Sequence, residues 1–211
     1  MMSWRCGRHT AKLKTMTSYE VKRGIKLEYF TIAYNLIEAA VGLIAGIFAG
    51  SVALVGFGLD SVIEVTSGAT LLWRLRGDAR REPAAIRIVG VCFLVLAAYV
   101  AYEAGEALVS HRSPERSVPG IALAAVSMIV MPLLSRAKRQ VAGRISSAAL
   151  HADARQTDFC AWLSAILLAG LLLNALLGWW WADPAAALVM TPIIAREGWN
   201  ALRGKPCGDC C

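Results

Sequence analysis

The sequence predicts an all-α integral membrane protein with six transmembrane helices. Of its 211 residues, 57% are hydrophobic and 18% are charged, and the mean hydropathy is +0.52. A soluble domain is roughly half apolar and about a quarter charged, so this composition favours a membrane protein. The basic residues are also clustered, and long stretches between the clusters contain few or none of them.

Three stretches poor in Lys and Arg each have room for two membrane spans and a turn. They cover residues 27–73, 88–135 and 156–195, and the second contains only Arg112 and Arg116, near its middle. A helix needs about 20 apolar residues to cross a hydrocarbon core of ~30 Å. We therefore expect helices over residues 28–49, 52–73, 86–109, 118–136, 148–175 and 184–202.

The first predicted hairpin turns near Gly50 and Ser51. The alternative is one helix over the uncharged run 39–59, but that arrangement leaves the apolar stretches 31–37 and 65–73 outside any span. Two helices account for the whole apolar region, and we prefer them.

The basic clusters also predict which side each loop faces. Residues 1–27 hold seven Lys or Arg, residues 74–81 and 136–144 hold four each, and residues 203–205 hold two. In a six-helix serpentine these segments share one face, which the positive-inside rule assigns to the cytoplasm together with both termini. We expect a basic cytoplasmic segment over 1–27, a transmembrane domain over 28–203 and a short Cys-rich cytoplasmic tail over 204–211.

The net charge of +7 does not indicate nucleic-acid binding, because the basic residues lie in short segments at the ends of helices, where they set topology. The first 26 residues are polar and basic and lack the pattern of a signal peptide. The six Cys residues do not form the framework of a small secreted domain, since two lie in apolar spans and three in the last five residues.

The second predicted helix carries two carboxylates, Asp60 and Glu64, at a spacing of i and i+4. This spacing puts both on one helical face, and a rise of 1.5 Å per residue from Ser51 puts them about 14 and 20 Å deep. Buried anions need neutralisation, which a divalent cation or protons would supply. The alternative is a pair of protonated carboxyls hydrogen-bonded within the bundle.

The fifth predicted helix carries Asp153, Gln156 and Cys160 at i, i+3 and i+7, which is one stripe of a helix. Cys160 reaches about the same depth as the acidic pair. Carboxylate oxygen combined with thiolate suits zinc or another transition ion better than magnesium or calcium. The alternative is that Cys160 is a small buried apolar residue, while Gln156 is a weak ligand that orients others.

This layout resembles the transmembrane domain of the cation diffusion facilitator family of zinc and manganese exporters, over roughly residues 25–203. The segments 51–54 and 60–64 match the family pattern on helix 2, and Asp153, Gln156 and Cys160 match the frame of its helix 5 pattern. The Gln-Thr-x-x-Cys form resembles the divergent TMEM163-like branch.

The resemblance implies six helices with both termini in the cytoplasm of a bacterial inner membrane, a homodimer, and efflux of a divalent metal ion against protons by alternating access. Zn²⁺ is the expected ion, with Mn²⁺, Fe²⁺, Co²⁺, Ni²⁺ or Cd²⁺ as alternatives. The replacement of the family's His and Asp on helix 5 by Gln156 and Cys160 leaves the ion open. The expected tail also lacks the family's C-terminal cytoplasmic domain.

Two further groups of residues each have more than one interpretation. Asn35 and Glu38 on the first helix are either a second layer around the site or a proton relay, or a helix-packing pair. The tail residues Cys207, Cys210 and Cys211 have spacing suited to metal capture, or they form a reactive or palmitoylated terminus.

Three functional classes follow from these patterns. A secondary transporter is the leading hypothesis, and a membrane protein that binds or senses metal without moving it is the second. A membrane enzyme is the third, but the sequence contains no nucleophile motif, no phosphate-binding Gly loop and no zinc-hydrolase spacing.

Overall fold

The computed structural model describes residues 4–75, 82–145 and 147–203. Within these ranges the chain forms six α-helices and no strand, so the predicted all-α fold is confirmed. The helices are α1 (Trp4–Ala49), α2 (Val52–Leu75), α3 (Glu82–Val109), α4 (Val118–Ile145), α5 (Ala148–Leu177) and α6 (Ala182–Leu202).

The helices extend past the predicted bounds, mainly at one end of the bundle. Helix α1 begins at Trp4, within the basic segment set apart in the sequence, and α4 continues to Ile145 instead of ending near residue 136. The apolar pattern marks only the part of a helix that lies in lipid. It does not mark polar turns that continue the same hydrogen-bonded helix beyond it.

Five helices contain segments long and apolar enough to cross a membrane: Tyr19–Ala49, Val52–Trp73, Gly90–Val109, Val118–Ile145 and Asp153–Leu177. Helix α6 is 21 residues long and lies along α3 in close contact. A Cβ atom on Gly198 of α6 would lie 2.9 Å from the carbonyl oxygen of Gly90 on α3. We therefore treat α6 as the sixth span of the same bundle.

The first hairpin has the predicted turn. Gly50 has a φ of +63°, a left-handed conformation that favours glycine. Beyond the turn, α1 and α2 approach until their backbones touch, and a Cβ atom on Gly58 would lie 2.8 Å from the backbone nitrogen of Leu43. This close approach brings the polar residues of α1 next to the carboxylates of α2.

An apolar core joins helices α2 to α6. Its fully buried members include Phe57, Val100, Ala124, Met131, Leu167 and Met190. Many large apolar side chains point outward instead, such as Phe48 at 82% and Ile47 at 70% exposure. This distribution is what a lipid-facing surface requires, since lipid tails are as apolar as a protein core.

The two ends of the bundle differ in composition. We call the end where α2, α4 and α6 finish and α3 and α5 begin the basic end; its exposed residues include Arg139 and Arg144. The opposite end holds the turns near residues 50, 111 and 179. There Asp183 of α6 accepts a hydrogen bond from Ser51 Oγ at 2.5 Å, which ties α6 to the start of α2.

Candidate metal centre

Three potential metal ligands meet inside the bundle. Asp60 and Glu64 of α2 and Cys160 of α5 are 4%, 6% and 0% exposed. One donor atom from each lies within 4.8 Å of the other two. The structure therefore brings together three of the five residues that the sequence singled out as ligands.

The geometry of α2 and α5 explains this convergence. Asp60 and Glu64 are one helical turn apart and project from the same face of α2. Cys160 lies on the buried face of α5, where Leu163 and Leu167 pack into the apolar core. The core holds these two helices side by side, so a thiol on one faces two carboxyls on the other.

Residues of α1 surround the carboxylates with hydrogen bonds. The Asn35 Nδ2 atom donates to Glu64 Oε2 at 2.8 Å, and both side chains are buried. Glu38 accepts hydrogen bonds from Ser127 Oγ and, at 3.4 Å, from Ser61 Oγ. Asn35 thus contacts a candidate ligand directly, whereas Glu38 belongs to a polar group beside the three donors.

Gln156 lies at the edge of the centre. Its Oε1 atom accepts a hydrogen bond from Ser67 Oγ at 2.9 Å. Its Nε2 atom is buried with no hydrogen-bond partner among the described residues. Gln156 lines the same small cavity as Asp60 and Glu64. It is not one of the three clustered donors.

Asp153 is placed differently from the ligand role that the sequence suggested. Its Oδ2 atom lies 2.5 Å from Lys138 Nζ, and the same ammonium lies 3.2 Å from Glu28 Oε2. Lys138 and Glu28 are fully buried. Asp153 is thus the partner of an internal cation, about two helical turns from Cys160, and it is absent from the three-donor group.

Sequence reasoning missed two buried charged residues, Lys138 and Glu28, and a partly buried one, Glu197. The apolar pattern of helix 4 ends near residue 136 and so places Lys138 in a loop, and the pattern of helix 1 begins at Glu28. Glu197 was overlooked, although it is a carboxylate within the predicted sixth span. A charged residue inside a span is a functional candidate by default. The position of Glu197 within the predicted sixth span is therefore enough to mark it as a candidate.

Two other groups of candidate residues lie elsewhere. Asp158 of α5 forms a partly exposed ion pair with Arg139 of α4 and is not one of the three clustered donors. The tail residues Cys207, Cys210 and Cys211 lie outside the described residues. Among the described cysteines, Cys160 is buried and Cys92 is exposed.

Two carboxylate oxygens and one sulfur form a donor set typical of transition ions. Zinc sites combine Cys sulfur with Asp or Glu oxygen and take four ligands in tetrahedral geometry. Three protein donors leave a position for water or a neighbouring side chain. Harder ions such as magnesium prefer oxygen alone, so the buried thiol favours a softer ion.

The sequence of the chain also matches a known protein family. Residues 29–204 match the cation efflux transmembrane domain. The chain belongs to the cation efflux family. This membership confirms the resemblance seen in the sequence, and it supports transport of metal cations rather than enzymatic catalysis.

Individual relatives of known sequence are 25–27% identical to the chain. An uncharacterised transporter of Synechocystis is 27% identical over 83% of this chain and 61% of its own length. The manganese efflux system protein MneS of Bacillus subtilis is 25% identical, over 87% of this chain and 67% of its own. Transmembrane protein 163 of Xenopus laevis is 27% identical, over 84% and 65%. The chain thus spans about two thirds of the length of these relatives.

Proposed function

We propose that this chain exports a divalent transition-metal ion, most readily Zn²⁺, and that Asp60, Glu64 and Cys160 bind the ion in transit. The observation that supports this proposal is the cluster of three buried donors at the junction of α2 and α5. Two carboxyls and a thiol gathered in a membrane bundle are costly without a cation or protons. Gln156 and Asn35 would assist from the edge of the site.

Proton exchange follows from the chemistry of the same atoms. A metal ion binds to deprotonated carboxylate and thiolate, so each binding event displaces protons that these groups hold in the absence of metal. Asp60, Glu64 and Cys160 then carry either metal or protons. A bundle that exposes them alternately to each side of the membrane would couple the two flows.

We also assign the basic end to the cytoplasm and place the protein in the inner membrane of a bacterium, with both termini inside. The basis is the excess of Lys and Arg at that end. We also propose that two copies associate through their membrane helices. Cross-linking in native membranes that gave only monomer at every concentration would contradict the dimer.

Binding and flux measurements test the site. Asp60→Asn keeps the shape of the side chain but removes a charge, and it should abolish zinc binding measured by calorimetry in detergent; Glu64→Gln should do the same. Asp158→Asn is the matched control, because Asp158 lies on α5 but pairs with Arg139 at the surface. Zinc binding by Asp60→Asn equal to that of the unmodified protein would refute the assignment.

Two further measurements separate transport from simple binding. Zinc flux into sealed proteoliposomes, driven by a proton gradient, should occur with the unmodified protein and disappear in Asp60→Asn. Tight binding without flux would favour the alternative, a metal-binding or sensing membrane protein. Calorimetry in buffers of different ionisation enthalpy should detect protons leaving as zinc binds.

A further inference from the structure

Of the five buried polar atoms without a hydrogen-bond partner in the described part of the chain, three lie beside the three-donor centre, and the other two belong to Glu20 and Glu28. The three are Asn35 Oδ1 on α1, Gln156 Nε2 on α5 and Glu197 Oε2 on α6. Most buried polar groups are hydrogen-bonded, and each exception has a cost and needs an explanation. Two of the three, Asn35 Oδ1 and Glu197 Oε2, are acceptors that a cation would satisfy, whereas Gln156 Nε2 is a donor.

The hydrogen bond of Asn35 shows which end of its side-chain amide lacks a partner. The whole side chain is buried, and its Nδ2 atom donates to Glu64. With the amide nitrogen donating to Glu64, as an ionised carboxylate requires when metal is bound, the amide oxygen is the end without a partner. The free Oδ1 atom is an acceptor, and a cation would satisfy it.

Glu197 brings a third carboxylate to the same space. It lines the small cavity that also contains Asp60, Glu64 and Gln156. The other residues lining this cavity are apolar: Phe93, Phe159, Leu163, Ile193 and Ile194. Arg155 and Arg196 are near enough to interact with Glu197 electrostatically, but Oε2 has no hydrogen-bond partner among the described residues.

We propose that Glu197 is a further metal-binding residue, whose carboxylate holds the transported divalent cation jointly with Asp60 beside the three-donor centre. The proposal rests on the function proposed above, since it concerns the path of the same ion. It brings into the site α6, a helix that contributes none of the three clustered donors. A cation between Glu197 and Asp60 would satisfy the free Oε2 atom and lower the repulsion among the three carboxylates.

Zinc binding by substituted proteins tests this role. Glu197→Gln keeps the size of the side chain and removes its charge, and calorimetry should show an affinity for Zn²⁺ lowered roughly tenfold, as for other residues that support a metal site. Glu103→Gln is the control, because Glu103 is a partly buried carboxyl on α3 that does not line this cavity. Its zinc affinity should stay unchanged.

A spectroscopic measurement distinguishes direct binding from a long-range effect of charge. In a background where Cys6, Cys92, Cys207, Cys210 and Cys211 are replaced by Ser, Cys160 is the remaining thiol. Cadmium should then give one thiolate-to-metal charge-transfer band. Glu197→Cys adds a second thiolate at the proposed position, so the band should grow about twofold.

The outcomes separate this proposal from the site assignment itself. If Glu197→Gln binds zinc like the unmodified protein and Glu197→Cys leaves the cadmium band unchanged, Glu197 is not a ligand, while loss of binding in Asp60→Asn would still support the centre. If Asp60→Asn binds normally and the Cys160 background gives no band, the centre itself is wrong. If the Glu197→Cys protein does not fold, the zinc affinity of Glu197→Gln alone decides whether Glu197 takes part in binding.

Discussion

The Nζ atom of Lys138 on α4 lies 2.5 Å from the Oδ2 atom of Asp153 on α5, and neither side chain is more than 10% exposed. Glu28 of α1 completes the group, 3.2 Å from the same nitrogen. A Cβ atom on Gly68 would lie 2.8 Å from Glu28 Oε1, so the group also touches α2. It therefore ties together helices that surround the three-donor centre, on the side of the basic end.

Removing the cation from this group should destabilise the fold strongly. Lys138→Met fills a similar space but leaves Glu28 and Asp153 as buried carboxylates without a partner. Breaking one side of a buried ion pair costs about 3–5 kcal/mol. The midpoint of thermal unfolding in detergent should fall by roughly 10 °C, since 1 kcal/mol corresponds to roughly 2–4 °C in a chain of this size.

A neighbouring ion pair provides the control for Lys138. Arg139 pairs with Asp158 between the same two helices, but these side chains are 44% and 32% exposed. An exposed pair contributes about 0–1 kcal/mol, so Arg139→Met should change the midpoint little. If both substitutions lower the midpoint equally, the burial of the Lys138 group does not add to its contribution to stability.

Asn35 should affect metal affinity more than stability. Its hydrogen bond orients Glu64, and loss of such a partner lowers metal affinity roughly 10–100-fold. Asn35→Leu should show this loss in zinc calorimetry. Asn174→Leu is the control, because Asn174 is also a buried amide, at the opposite end, where it donates to Pro114 O of the α3–α4 loop at 3.0 Å. If both variants bind zinc alike, Asn35 serves only in helix packing.

Cys160 should control which ion is preferred. Cys160→Ser replaces a soft sulfur by a hard oxygen, so zinc affinity should fall roughly tenfold or more while manganese affinity changes less. Competition between the two ions during calorimetry measures the ratio directly. Cys92→Ser controls for thiol loss, because Cys92 is exposed on α3. An unchanged ratio in Cys160→Ser would exclude the sulfur as a ligand.

Sequence reasoning could locate Asp60, Glu64 and Cys160 because their signals are local. Each is a polar residue or a thiol inside an apolar run, and the helical repeat of α2 and α5 sets the face on which each lies. The pairing of α2 with α5 could not be derived from those repeats. It depends on how the apolar core joins the helices.

Asp153 shows what such reasoning lacks. It shares a stripe with Cys160, so periodicity alone suggests a common role, but its true partner comes from α4. Lys138 lies beyond the apolar run of its helix, and only the packing of α4 against α1 and α5 buries it. Such partners depend on tertiary contacts, which the spacing of residues within one helix does not predict.

The sidedness of the bundle is the remaining sequence-based expectation, and labelling in intact cells tests it. Ser113 is exposed at the opposite end, and Gly143 is exposed at the basic end with open space around it. In a background lacking the other reactive thiols, Ser113→Cys should react with a membrane-impermeant reagent added outside. Gly143→Cys should react only after the membrane is permeabilised, because the positive-inside rule places the basic end in the cytoplasm. The reverse pattern would refute the proposed topology, since the basic end would then be the external face.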